Sequence, residues 1–89
     1  MTLTGNVKSV LFANPHVMVT IDADDTRRYT VEWMAAGQLE RSGVSRSELK
    51  PGDRIVVIGS PARDPEERRV TLIKEISRVG DGWSWKRGR

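Results

Sequence analysis

The sequence predicts an all-β domain, a five-stranded antiparallel barrel with one short helical insertion. Three observations carry this. Apolar and polar residues alternate with a period of two from Val17 to Ile21 and again from Tyr29 to Trp33. Arg54 to Gly59 is a short run rich in β-branched residues, as a buried strand requires. The span between Met34 and Arg54 is too long for a hairpin turn and holds two helix signals.

The first strand is expected to be bulged and curved. Leu3, Val7 and Leu11 share one parity and Val10 and Phe12 take the other, so the apolar face changes sides near Lys8 and Ser9. Gly5 fits a close backbone approach or a sharp bend within that strand. Asn14-Pro15 stops it, because proline has no N–H for a ladder and disfavours helix in its predecessor. The segment from Asn14 to Met34 then reads as a hairpin with unlike faces. Pairing Asp22 with Arg28 across ADDTR sets Ile21 against Tyr29, Val19 against Val31 and Val17 against Trp33. The opposite face carries His16, Met18, Thr20, Thr30, Glu32 and Met34.

Beyond Met34, Ala35, Ala36, Gln38 and Leu39 favour one or two helical turns, with Gly43 as a left-handed cap. Ser45 and Glu48 have capping-box spacing and predict a second short turn ending at Leu49. Lys50-Pro51-Gly52-Asp53 places proline and glycine in the central positions of a tight turn. The strand from Arg54 should be apolar on both faces and end at Gly59 and Pro61. Ala62 to Arg68 reads as a mobile solvent loop, and Val70 begins a long last strand reaching Ile76 to Val79. Gly80-Asp81-Gly82 can turn the chain into a short returning strand at Trp83-Ser84-Trp85. This order, three strands, helix, two strands, is that of the oligonucleotide/oligosaccharide-binding (OB) barrel, with an open SH3-like barrel as the competitor. Residues 1–89 are expected to form one OB-like domain, since 89 residues suit a single small core.

Composition narrows the chemistry. The net charge of +3 comes from 15 basic and 12 acidic residues interspersed along the chain, which permits nucleic acid binding without indicating it. The absence of cysteine excludes disulfides, thiolate nucleophiles and thiolate metal sites. The longest apolar run, Ile55 to Ile58, is far short of a membrane span, so no membrane insertion is expected. No phosphate loop, zinc-protease motif or nucleophile elbow is present, and His16 is the sole histidine. A conventional triad therefore cannot be assembled within one chain.

Several short motifs resemble those of a family of small bacterial proteins of unknown function, usually exported. These are Thr2-Leu3-Thr4-Gly5, Asn14-Pro15-His16, Trp33, Glu48-Leu49-Lys50-Pro51-Gly52-Asp53 and Gly59-Ser60-Pro61-Ala62-Arg63-Asp64. Ala35 to Val44 departs from the family pattern, which has a Gly-Ser-Pro-Asn helix start and a Gly-Trp end. The resemblance implies an OB-like barrel and a periplasmic location, and brings no established activity, cofactor or catalytic residues.

The function expected is therefore a noncatalytic binding domain of the bacterial envelope, taking a small ligand or protein partner on His16, Met18, Thr20, Thr30, Glu32 and Met34. His16 has a structural role to fill first, bonding a neighbouring backbone group at the strand entrance. The alternative from metal chemistry is Cu(I) or Ag(I) held by His16, Met18 and Met34, since soft thioethers select soft ions. That set is loosely similar to the histidine and methionine sites of small periplasmic copper-binding OB proteins, with different spacing. The alternative from nucleic acid chemistry stacks single-stranded bases on Trp83 and Trp85 beside the basic tail Lys86-Arg87-Gly88-Arg89, although an envelope location argues against it. Trp33 and Tyr29 are expected in the core, and Asp24 and Asp25 in solvent.

Overall fold

The computed structural model describes residues 1–88, so Arg89 at the end of the basic tail lies outside the described residues. Strand β1 (Thr2–Leu11) is the hinge of the barrel, paired antiparallel with β2 (Met18–Ala23) on one side and β4 (Arg54–Pro61) on the other. It can serve both because it is bent. Its register against β2 slips between Val7 and Ser9, where the apolar parity changes. At Gly5 a Cβ would lie 2.4 Å from the Asp22 carbonyl oxygen and 2.7 Å from Ala23 Cα, so only glycine lets the two backbones meet.

The β2–β3 hairpin has the register read from the sequence. β3 (Arg28–Glu32) sets Arg28 opposite Asp22, Tyr29 opposite Ile21 and Val31 opposite Val19. Val17 and Trp33 extend the pairing one step further, through a hydrogen bond from the Trp33 N–H to the Val17 carbonyl. Val17, Val19, Ile21, Val31 and Trp33 are all buried. Tyr29 is only half-buried, because its hydroxyl donates to Asp25 at 2.7 Å and draws the ring toward the hairpin loop. Asp24 is engaged as well, in a two-pronged pair with Arg54.

Helix α1 (Ala36–Arg41) follows, ending before Gly43 at φ 92°. It seals the barrel's end with Leu39, which is fully buried. Its first turn is held by the loop before β2: the Gly37 N–H donates to Asn14 Oδ1 and the Ala36 N–H to the Ala13 carbonyl. The second expected turn does not form a capping box. Ser45 and Glu48 close a single turn, and the Glu48 carboxylate reaches Arg78 instead of its own backbone, because a near-buried guanidinium is the stronger partner. Lys50 to Asp53 forms the expected tight turn, with Gly52 at φ 96°.

β4 ends at Pro61, within the Gly59 to Pro61 stop expected for it. Opposite Gly59 the ladder is bulged, with two extra residues on β5, and a Cβ on that glycine would lie 2.8 Å from the Thr71 carbonyl. A 3-10 turn (Pro65–Glu67), capped by Asp64, occupies the exposed loop before β5 (Arg69–Arg78). The five-stranded barrel closes where Thr30 and Val31 of β3 pair with Arg69 and Val70 of β5. Every other pairing is antiparallel as expected, and this seam alone is parallel. A closed barrel with this strand order, β1-β2-β3-β5-β4, brings two strands together that run the same way. β6 (Ser84–Lys86) returns along β5 as an extra strand outside the closed five.

The core gathers the inward residues of every strand around Trp33, whose ring meets Trp85 edge-on at 5.2 Å. Outside it, Arg78 ties three segments together. Its guanidinium pairs with Glu48, Asp53 and Asp81, donates to the Glu48 carbonyl and lies 5.3 Å from the centre of the Trp83 ring. Trp83 and Trp85 thus lock the last strand onto the barrel. The alternative, an open aromatic platform for bases, is not formed, since Trp85 is buried and Trp83 is half-buried against Arg78.

Candidate functional site

The parallel seam is two residues long, and beyond it β3 and β5 part. Glu32, Trp33 and Met34 leave on one side while Thr71, Leu72 and Ile73 leave on the other, and a cleft of about 320 Å³ opens between them. Its far wall is the Pro15-His16 loop and the start of α1, with Ala35 and Gln38. Those two pieces are stitched together by the hydrogen bonds that Asn14 and Ala13 accept from α1, so the wall is built from rigid backbone.

His16 does the structural job expected of it. Nδ1 lies 3.1 Å from the Trp33 carbonyl oxygen, and since a carbonyl can only accept, Nδ1 carries the hydrogen. In the neutral ring Nε2 is then left with its lone pair, 3.9 Å from Glu32 Oε1. The other oxygen of Glu32 pairs with Arg69 at 3.4 Å, which places one carboxylate between a histidine and an arginine. Met34 packs partly against the core and lines the same cleft. Its carbonyl accepts from the Val17 N–H, so the chain here is still held to β2.

The six residues of the expected face therefore divide. His16, Glu32 and Met34 converge on the cleft. Met18, Thr20 and Thr30 stay on the open sheet, Met18 opposite Glu32 and Leu11, Thr20 opposite Thr30 and Ser9. Among the described residues no group of three or more His, Cys, Asp or Glu side chains gathers as a metal cluster. The proposed ligand Met18 is not among the cleft residues, whereas His16 and Met34 are.

Two features of the cleft were invisible in the sequence. Trp33, placed in the core by its parity, also lines the cleft, and its indole Nε1 is buried with no hydrogen-bond partner. An unpaired buried donor costs about 1–3 kcal/mol, which an ordered water or a ligand acceptor reaching it would recover. Leu72 takes φ 49° and is 63% exposed at the cleft. A branched apolar residue held left-handed in solvent is strained, and such residues collect at binding sites. Nothing in the sequence of β5 marks that turn, because it lies in the bulge where the pairing of β5 with β4 shifts register.

Charges elsewhere serve the scaffold. The Tyr29 hydroxyl holds the Asp25 carboxyl below its usual range, and the same bond raises the Tyr29 phenol. Arg54 lowers Asp24 in the same way, first by hydrogen bonding. Arg78, with the Trp83 N–H, depresses Asp81 to about 2.

No helix among the described residues is long and apolar enough to cross a membrane. No curated protein and no solved structure matches the chain. A family model does, over residues 1–71, which takes in β1 to β4, α1 and the seam of the barrel and so every residue of the cleft except Leu72, Ile73 and Arg87. On that match the chain belongs to a family of unknown function (DUF6152).

Proposed function

We propose that this protein is a noncatalytic binding domain of the bacterial envelope, an OB-like barrel whose site is the cleft where β3 and β5 part. One observation carries the reading: His16, Glu32 and Met34 meet around a partly apolar recess with rigid walls, the usual form of a small-ligand site. The noncatalytic character is supported by what the acidic residues do. Asp24 and Asp25, the adjacent acids of the hairpin loop, are spent on Arg54 and Tyr29. A small-molecule library read by thermal shift tests the proposal. A ligand present at 100 times its Kd should stabilise the fold by about 2.7 kcal/mol. The shift should vanish in Met34→Ala and His16→Ala, and ligands that stabilise those variants equally would refute the site. Fractionation of cells expressing the native gene tests the envelope location, which recovery in the cytoplasm would refute.

A second reading, Cu(I) or Ag(I) on His16 and Met34, is favoured by the imidazole. Metal-bound histidines commonly donate their other N–H to a backbone carbonyl, as Nδ1 does here to Trp33. Met18 would complete the set only from the neighbouring sheet position. Titration with Cu(I) should move the His16 ring and Met34 methyl signals together. Unmoved signals would remove the reading.

A further inference from the structure

A second cleft, of about 200 Å³, borders the first at the Arg69–Glu32 pair. Its lining includes Arg27, Tyr29, Pro61, Asp64, Arg68 and Arg69. Three arginines at one small recess are costly unless something anionic joins them. Only Arg69 has a carboxylate partner; among the described residues neither Arg27 nor Arg68 forms an ion pair. The nearby acids keep their charge while accepting other hydrogen bonds, Asp64 from the Glu66 N–H and Asp25 from the Tyr29 hydroxyl and the Arg27 N–H, so Asp25 balances Arg27 and Arg68 only through space and their guanidinium donors stay available to an anion.

The backbone under each guanidinium is fixed. The Arg27 carbonyl accepts from the Ala23 N–H at 2.9 Å, the Arg68 carbonyl from Thr30 at 3.0 Å and the Arg69 carbonyl from Ala62 at 2.8 Å. These bonds come from the β2–β3 hairpin, the barrel seam and the β4–β5 loop, so the three side chains are brought together by the closure of the barrel. Guanidinium forks match the oxygens of a phosphate, and several of them suit a dianion better than a single carboxylate. Beside them Tyr29 and Pro61 offer apolar surface of ring size.

We propose that this cleft binds a small phosphate monoester, its phosphate on Arg27, Arg68 and Arg69 and its ring beside Tyr29. The protein has one tyrosine, so its ring signals report this cleft without ambiguity. The test is titration with phenyl phosphate, read by NMR at the Tyr29 ring. Saturable shifts are expected for phenyl phosphate and not for phenol. Binding should weaken as pH falls through about 6, where the monoester loses its second charge. The double substitution Arg27→Ala with Arg68→Ala should weaken it by at least about tenfold, or about 1.4 kcal/mol. Arg63→Ala changes the net charge outside the cleft and should leave binding unchanged. Absence of a shift, equal binding of phenol, insensitivity to pH, or equal weakening by Arg63→Ala would each overturn the proposal. Both arginines are exposed, and unfolding curves verify that the variants fold.

Discussion

Gly5→Ala should be among the most damaging single-methyl additions this barrel can receive. The added carbon would meet the Asp22 carbonyl oxygen at 2.4 Å, Ala23 Cα at 2.7 Å and Ile21 Cγ2 at 2.7 Å, where ordinary contact begins near 3.4 Å. Two of the three atoms are backbone, so relief requires β1 and β2 to separate by most of an ångström. That stretches the ladder at the Gly5–Ala23 and Asn6–Asp22 positions, in the strand that joins both halves of the barrel. Overpacking costs about 1–3 kcal/mol and each weakened hydrogen bond about 1 kcal/mol, which puts the loss at about 3 kcal/mol. For a domain of this size that lowers Tm by about 12–24 °C. Urea unfolding followed by tryptophan fluorescence measures it, with Gly80→Ala as the control. A methyl added at Gly80 would have no atom within 4 Å, and the backbone there has no positive φ, so the replacement should be neutral or slightly stabilising. A Gly5→Ala loss below about 1 kcal/mol, or a loss equal to that of Gly80→Ala, would refute the close-approach argument.

Three further outcomes follow from the charges and the strained turn. The Asp81 carboxyl is depressed from 3.8 to about 2 in the folded protein, so its stabilisation is complete above pH 3.8 and is lost as pH falls through about 2. Asp81→Asn should flatten that acid limb of the urea midpoint against pH, and an unchanged limb would count against the Arg78 pair. The Tyr29 phenol is raised by its bond to Asp25, so its folded-state contribution holds below pH 10 and fades as the phenol finally ionises. Asp25→Asn should bring the single tyrosine's ultraviolet titration back toward 10. Leu72→Gly releases a left-handed conformation worth about 1–2 kcal/mol, against about 0.5–1 kcal/mol of added chain entropy. A raised urea midpoint is expected, and a clear fall would show that the exposed leucine is held by packing.

The hairpin was legible residue by residue because its face is buried. A slip of one position would have turned Val17, Val19, Ile21 and Val31 outward, so period two fixed the pairing of Asp22 with Arg28 and everything between. The bulge near Lys8 was legible for the same reason, from a change of parity. Glu48 was misread because capping-box spacing describes only a local competitor. Arg78, far along the chain, offers a stronger partner that local spacing cannot reveal. Trp83 and Trp85 share a parity, but parity does not say that one side chain will fill the barrel's end and the other lie beside a guanidinium.

What the amino-acid order determined by itself was which side chains go inside, how the first hairpin pairs and where the chain must turn, since those follow from local periodicity and backbone sterics. Closure decided the rest. The parallel seam at Thr30 and Arg69 divides the histidine and methionine face, sending His16, Glu32 and Met34 to a cleft and leaving Met18 on the sheet. It also brings Arg27 of the hairpin loop beside the consecutive pair Arg68 and Arg69. Such meetings depend on how strands far apart in the chain are brought edge to edge, and no neighbouring residue carries that information.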